Sequence, residues 1–217
     1  MMFSIQPLYE RFAQHYPVGE RWWPGNSLWE IWIGAILVQN TRWYNVELSL
    51  TQLRQAALLT PQALHNLTID ELIPYIRSSG FYQAKARALI AGSHWFASYD
   101  YDLAKIRTKA TAALRQELLA LPGIGNETAD VLLVYLFDKV VFIADTYARR
   151  LFLRLGVSSK NYRDLQRQLL LPTDFTNQQA QELHGWIVDF GKEHPTDTDW
   201  QHSFLADLHL TKKHPPK

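Results

Sequence analysis

Leu121-Pro122-Gly123-Ile124-Gly125 is followed, twenty residues after Gly125, by Asp145. Helical patterns flank the turn, one before Pro122 and one from Thr128 to Phe137, so a helical hairpin is expected. Gly123 and Gly125 let the backbone turn sharply and leave its N–H groups uncovered by side chains. Together with the N-terminus of the second helix, those donors make an electropositive nest suited to a phosphate oxygen. Phosphate contacts position a nucleic acid without reading its sequence. The turn therefore points to a grip on a DNA backbone, and Asp145 becomes the candidate catalytic group beside it.

On residue type alone, Asp145 is an N-cap. It precedes Thr146 and an apolar-periodic helix, and such caps contribute about 1 kcal/mol. The two roles are compatible, because a carboxylate at a helix N-terminus is stabilised as the anion. Arg149, Arg150 and Arg154 follow on the same helix, with Leu151, Phe152 and Leu155 suited to its buried face. These arginines read either as a solvated face or as phosphate contacts; Lys85 and Arg87 are further candidates for the DNA backbone. Trp22, Trp23 and Pro24 lie between Gly19 and Gly25, where no regular helix is expected. Two adjacent tryptophans do not both bury easily on one helix face. The eight histidines lack ligand spacing, so no transition-metal site is expected. The hairpin carbonyls leave a monovalent cation open.

The elements that must position these residues are helical almost throughout. Leu28 to Val38 is apolar nearly all round, as expected of a buried central helix. Tyr44 to Ala57 is amphipathic, and Thr60-Pro61 reads as an N-cap with proline in the first turn. Thr68 to Ile76 opens with a capping signal and stops at Ser78-Ser79-Gly80. Gln83 to Tyr99, Thr108 to Leu121, Asp145 to Leu155 and Thr176 to Gly191 complete the helical set. Val140 to Ile143 is β-branched but too short for a sheet and reads as a buried connector; the tail after Thr211 reads as frayed.

The chain has 217 residues, 47% hydrophobic and 13% aromatic, enough for one sizeable domain or two small lobes. Its net charge of +1 means that any DNA-binding face must come from local clustering of Lys and Arg. With no cysteine, disulfides, thiolate zinc sites and iron–sulfur clusters are excluded. No secretory signal or membrane span is visible, so a cytoplasmic protein is expected.

LPGIGNETADVLLVYL and VVFIADTYARRLFLRLG resemble the helix-hairpin-helix DNA glycosylases of the endonuclease III superfamily. The resemblance extends upstream through IGAILVQNT and SGFYQAKA and downstream through HGWIVDFGKEH, roughly Trp22 to His194. The Trp22-Trp23-Pro24 segment and the absent cluster cysteines are most similar to the 3-methyladenine glycosylase branch. The resemblance implies an all-α protein of two lobes: a central bundle over residues 28–137 carrying the hairpin, and a second lobe from residues 1–27 and 138–217. It places the active site in the cleft between them.

For this chain the resemblance also implies roles. Asp145 opposes the positive charge of an oxocarbenium-like sugar, and it orients or deprotonates the attacking water. Trp22, Trp23 and Pro24 form an aromatic wall for a flipped base, with Trp43 opposite and Lys192 lining the pocket; a tryptophan plug is the plainer alternative. A π face attracts a cationic N-alkylated purine by roughly 0.5–2 kcal/mol more than a neutral base. A cationic lysine would repel that base, so Lys192 needs a partner, a shifted pKa or a covalent modification. Gln39, at the end of the apolar helix, fills the gap left by the extruded nucleotide; its neighbour Asn40 reads as a cap. Gly123, Ile124, Gly125, Asn126, Thr128 and Arg149 contact DNA. Bifunctional relatives carry a catalytic lysine near the start of the hairpin's second helix, where this chain has Gly125-Asn126-Glu127-Thr128. A Schiff base is therefore not expected there.

The expectation is a monomeric, cofactor-free, monofunctional glycosylase acting on alkylated purines, 3-methyladenine first, in damaged double-stranded DNA. An endonuclease III-like enzyme for oxidised or mismatched bases, and a non-catalytic hairpin DNA-binding protein, are the alternatives.

Overall fold

A computed structural model describes residues 2–19 and 22–213. In chain order the elements are β1 (Met2–Ser4), α1 (Gln6–Ala13), α2 (Leu28–Leu37), α3 (Trp43–Gln55), α4 (Pro61–His65), α5 (Ile69–Ile76) and α6 (Tyr82–Ala97). They continue with α7 (Leu103–Arg107), α8 (Thr111–Ala120), α9 (Asn126–Tyr135), α10 (Thr146–Arg154) and α11 (Tyr162–Gln168). Then come β2 (Leu169–Leu170), α12 (Asn177–Glu193), α13 (Asp197–Gln201) and β3 (Lys212–Lys213). The chain divides into two compact units: Pro24–Lys139, and Met1–Trp23 with Val140–Lys217. No helix among the described residues is long and apolar enough to cross a membrane.

The unit Pro24–Lys139 is wholly helical among its described elements. Its centre is α2, buried from Glu30 to Leu37, as its all-round apolar sequence requires. Ser27 caps it by accepting the Glu30 N–H. The one acid in this apolar helix, Glu30, is 4% exposed and is satisfied by Arg54 at 3.1 Å and by the Asn26 N–H at 2.7 Å. α9, buried from Thr128 to Tyr135, packs on α2 and on α8. α5 begins with the reciprocal Thr68–Glu71 capping box.

The other unit is built on α12 and α10, which pack against each other. Phe12 of α1, Trp186 and Phe190 of α12, and Phe204 form an aromatic core with ring centroids 5.4–6.2 Å apart. A small sheet of order β2-β1-β3 lies in this unit. Phe3 pairs in parallel with Leu169 and antiparallel with Lys212. This sheet departs from the all-helical expectation, and β3 occupies the start of the tail read as frayed; the rest of that tail, residues 214–217, lies outside the described residues. Two- and three-residue strands carry no alternation to read, and only long-range pairing creates them. Val140–Ala144 forms neither helix nor strand, and Phe142, Ile143 and Ala144 are buried.

Candidate active site

Asp145 stands where that buried connector enters α10. It is the N-cap, with extended backbone (φ −63°, ψ −175°), and its Oδ1 accepts the Ala148 N–H at 2.7 Å. The residue is 7% exposed. Its second oxygen, Oδ2, lies 3.9 Å from Nε2 of His184, beyond hydrogen-bond length. Burial, reinforced by the nearby charge of Lys192, holds the His184 pKa down at about 3. The imidazole is therefore neutral at physiological pH and places no positive charge beside the carboxylate.

His184 also links Asp145 to the tryptophans. The Trp22 ring stands edge-on to it, centroids 5.3 Å apart and planes at 83°. The Trp22 indole N–H donates to Asp189 Oδ2 at 2.6 Å, and Lys192 Nζ donates to Asp189 Oδ1 at 3.2 Å. Lys192 Nζ lies 5.5 Å from the Trp22 ring centroid. Trp23 meets Trp22 edge-on at 6.1 Å and is itself buried, so it backs Trp22.

The segment carrying Trp22 is templated by one face of α12. Glu182 accepts the Gly19 N–H at 2.7 Å and the Tyr9 hydroxyl at 2.6 Å. Burial and that acid push the Tyr9 pKa up to about 12. Trp186 donates to the Pro17 carbonyl at 3.2 Å, and Asp189 holds Trp22. Residues 182, 186 and 189 recur at helical spacing on one face. At Gly185 a Cβ would lie 2.3 Å from Trp22 Cγ, so only glycine admits the indole.

Three arginines follow Asp145, and the structure separates them. Arg149 is exposed. Arg150 donates to the Gly191 carbonyl at 2.7 Å and lies over the Tyr147 ring. Arg154 donates to the His194 carbonyl at 3.0 Å and pairs with Asp197 at 3.1 Å. The last two are thus tied into their own unit, where the sequence had left them as possible phosphate contacts. Leu151 and Phe152 are buried as expected, while Leu155 is only half-buried.

The hairpin and the remaining predicted residues belong to the unit Pro24–Lys139. Gly123 has φ +75°, and a Cβ there would lie 3.1 Å from that of Ala88. Gly125 is different: its φ is −90°, so it does not supply the turn. It is the N-cap of α9, has no side chain to occupy the first-turn N–H groups, and a Cβ there would meet nothing. Its smallness keeps the helix N-terminus approachable. Ile124 is buried and anchors the turn.

The side chains of Asn126 and Thr128 are committed to the fold. Asn126 Oδ1 accepts from Arg115 at 3.1 Å. Thr128 Oγ1 accepts from Gln39 at 3.0 Å. What these two positions offer an anion is backbone. Glu127 is exposed in the first turn of α9. Gln39 lies two residues past the end of α2 rather than ending it, and also donates to the Gly123 carbonyl at 3.1 Å. Asn40, beside it, is exposed with φ +54°. Trp43, the first residue of α3, is half-buried, and Pro24 is exposed.

Lys85 cannot reach a DNA backbone. It is 3% exposed and donates to the carbonyls of Leu37 and Ser79, at 2.8 and 2.6 Å. Burial brings its pKa down to about 8. Its helical phase with Leu89 and Phe96, both buried, was the signal that it faces inward. His184, Gly185 and Asp189 were not singled out in the sequence either, although Asp189 precedes Lys192 by three residues on the same helix.

A family profile described as HhH-GPD superfamily base excision DNA repair protein matches residues 33–174. The Methanocaldococcus jannaschii protein MJ1434, named provisionally as a DNA repair glycosylase, is 35% identical over 195 residues, 87% of each chain. Endonuclease III of Thermotoga maritima is 31% identical over 163 residues, 74% of this chain and 71% of the relative. The structure of H. pylori 3-methyladenine DNA glycosylase, MagIII, bound to 1,N6-ethenoadenine, superposes with a TM-score of 0.70 at 27% identity. It covers 86% of this chain and 94% of that one. A trapped endonuclease III–DNA covalent intermediate shares the fold, with a TM-score of 0.70 at 22% identity over 88% of this chain and 86% of the other.

Proposed function

The chain belongs to the HhH-GPD superfamily of base excision DNA repair proteins, and from that membership we propose a monofunctional glycosylase that removes alkylated purines with Asp145 as its catalytic carboxylate. The observation that carries this reading is the assembly of Asp145, His184, Trp22 and the Asp189–Lys192 pair within one unit. A carboxylate held by a helix N-terminus remains an anion. Beside it stands a half-buried indole, the surface on which a cationic base stacks. The H. pylori neighbour is named for an alkylated purine, which supports the same substrate class.

In the reaction, the bond between the base nitrogen and C1′ breaks with its electron pair going to the base. That pair cancels the positive charge of an N-alkylated purine, so the base needs little acid assistance. The sugar takes up positive charge as the bond stretches, and the Asp145 carboxylate opposes it. Water adds at C1′ and gives up a proton, with the carboxylate as acceptor. Gln39, Trp43, Pro24, Trp23 and Arg149 complete the reading as DNA- and base-contacting residues, and the start of α9 takes a phosphate. No amine occupies positions 125–128, which supports hydrolysis by water rather than a Schiff base.

Asp145→Asn tests the assignment cleanly, because Asn caps a helix as well as Asp does. Base release from a methylated duplex should fall by about 10²–10³-fold, the scale seen when one preorganised electrostatic group is lost. Duplex binding should stay within a few-fold. Release near the wild-type rate would remove Asp145 from the reaction. Borohydride should trap no covalent protein–DNA adduct.

A further inference from the structure

We infer that Asp189 is a positioning and specificity-determining residue: one carboxylate both fixes Trp22 and neutralises Lys192, which makes the site fit for a cationic base. The inference rests on the reading of this unit as a base-binding site.

Each oxygen of Asp189 has its own task. Oδ2 takes the Trp22 indole N–H at 2.6 Å, and Oδ1 takes Lys192 Nζ at 3.2 Å. The ammonium is thereby held 5.5 Å from the Trp22 ring centroid, at the margin of cation–π distance. Without Asp189 it would compete, as a cation, for the aromatic surface that a cationic base needs. The Asp189–Lys192 pair is spaced i,i+3, with side chains 34% and 55% exposed. Such partly exposed pairs add little to folding stability. Its consequence is the local charge.

The other titratable groups of α12 on this face are neutral or engaged elsewhere. Burial keeps His184 neutral. Glu193 is taken by the Tyr16 hydroxyl, and Glu182 by Tyr9 and Gly19. With the pair intact the charge of Lys192 is cancelled by Asp189. Asp189→Asn preserves an acceptor for the indole while leaving Lys192 uncompensated. Charge balance and positioning can therefore be separated.

The test is equilibrium binding, which needs no turnover. The full-length protein in the Asp145→Asn background is titrated with two duplexes. One carries a single 7-methylguanine, which is cationic; the other carries 7-methyl-7-deazaguanine, which has the same shape and no charge. The reference should prefer the charged base. Asp189→Asn should lower that preference by about tenfold, the scale of one uncompensated charge at several ångströms in a partly solvated site. Adding Lys192→Met should restore it, and a merely structural role for Asp189 would not be rescued this way. Asp189→Leu should weaken both duplexes, through Trp22. A preference that survives Asp189→Asn, an absent preference in the reference, or no restoration by Lys192→Met would each overturn the inference. Base release by the wild-type protein is read separately, so failure of the catalytic proposal and failure of this one give different results.

Discussion

Gly185→Ala places one methyl group against the tryptophan that the proposed site depends on. The added carbon would lie 2.3 Å from Trp22 Cγ and 2.7 Å from both Cβ and Cδ1. Carbon contacts settle near 3.5–4.0 Å, so the indole or α12 must retreat by about 1 Å or more. The indole has little freedom to tilt in place. Its N–H is bonded to Asp189 at 2.6 Å, and its edge meets His184 with centroids 5.3 Å apart. The stability effect is muted by two opposed contributions. Alanine gains about 1 kcal/mol in helix propensity over glycine, and overpacking costs about 1–3 kcal/mol. The net loss is therefore about 0–2 kcal/mol, small enough for the variant to fold. The functional loss should be much larger, because a misplacement of about 1 Å can cost on the order of 10²-fold in rate. Urea denaturation and base release from a methylated duplex, measured on the same preparation, check both expectations. A Gly185→Ala protein with wild-type stability and wild-type release would refute the claim that α12 templates Trp22.

Arg115 bridges α8 to α9 through both oxygens of Asp130, at 2.7 and 3.1 Å, and the Asp130 side chain is fully buried. Arg115→Met takes the cation from that buried acid and should cost roughly 3–5 kcal/mol in urea denaturation; a loss under about 1 kcal/mol would contradict the bracing role. His184 has a folded pKa of about 3 against about 6.5 unfolded, so only the unfolded chain takes up its proton between those values. Stability should be full above about pH 6.5 and fall as pH drops, by up to roughly 1.4 kcal/mol per unit. Denaturation of His184→Phe from pH 7 to pH 4 should show a shallower acid limb, and an unchanged slope would rule His184 out as its source.

The helices were legible because their signals are local. Thr60-Pro61 and the Thr68–Glu71 pair announce two starts by side-chain chemistry that needs no tertiary context. The apolar run of α2 could only be a buried helix. The sheet was illegible, because β1, β2 and β3 are two or three residues long and exist only through pairing of segments more than 160 residues apart. In the site, Asp145 could be read from its spacing to the glycine turn, and the neutralising partner that Lys192 requires could be anticipated without being named. Asp189 looked like one more charge on an amphipathic helix, and it matters through the indole of Trp22, a contact no local pattern predicts. Lys85 differs in the opposite sense: a candidate for the DNA backbone by residue type, it is put in the core by helical phase and bonded to two carbonyls.

The capping task of Asp145 does not require an acid. The capping bond uses one oxygen, Oδ1, on the Ala148 N–H, and Asn would make that bond equally well. The second oxygen lies 3.9 Å from a histidine that burial keeps neutral, at a residue only 7% exposed. The helix N-terminus contributes about 0.3–1 kcal/mol to holding the charge. Asp145→Asn keeps the capping bond and should unfold at a urea midpoint close to that of the parent protein while losing base release. Stability held as activity falls would mark a charge retained for chemistry. A variant that lost activity and stability together would reduce Asp145 to a cap.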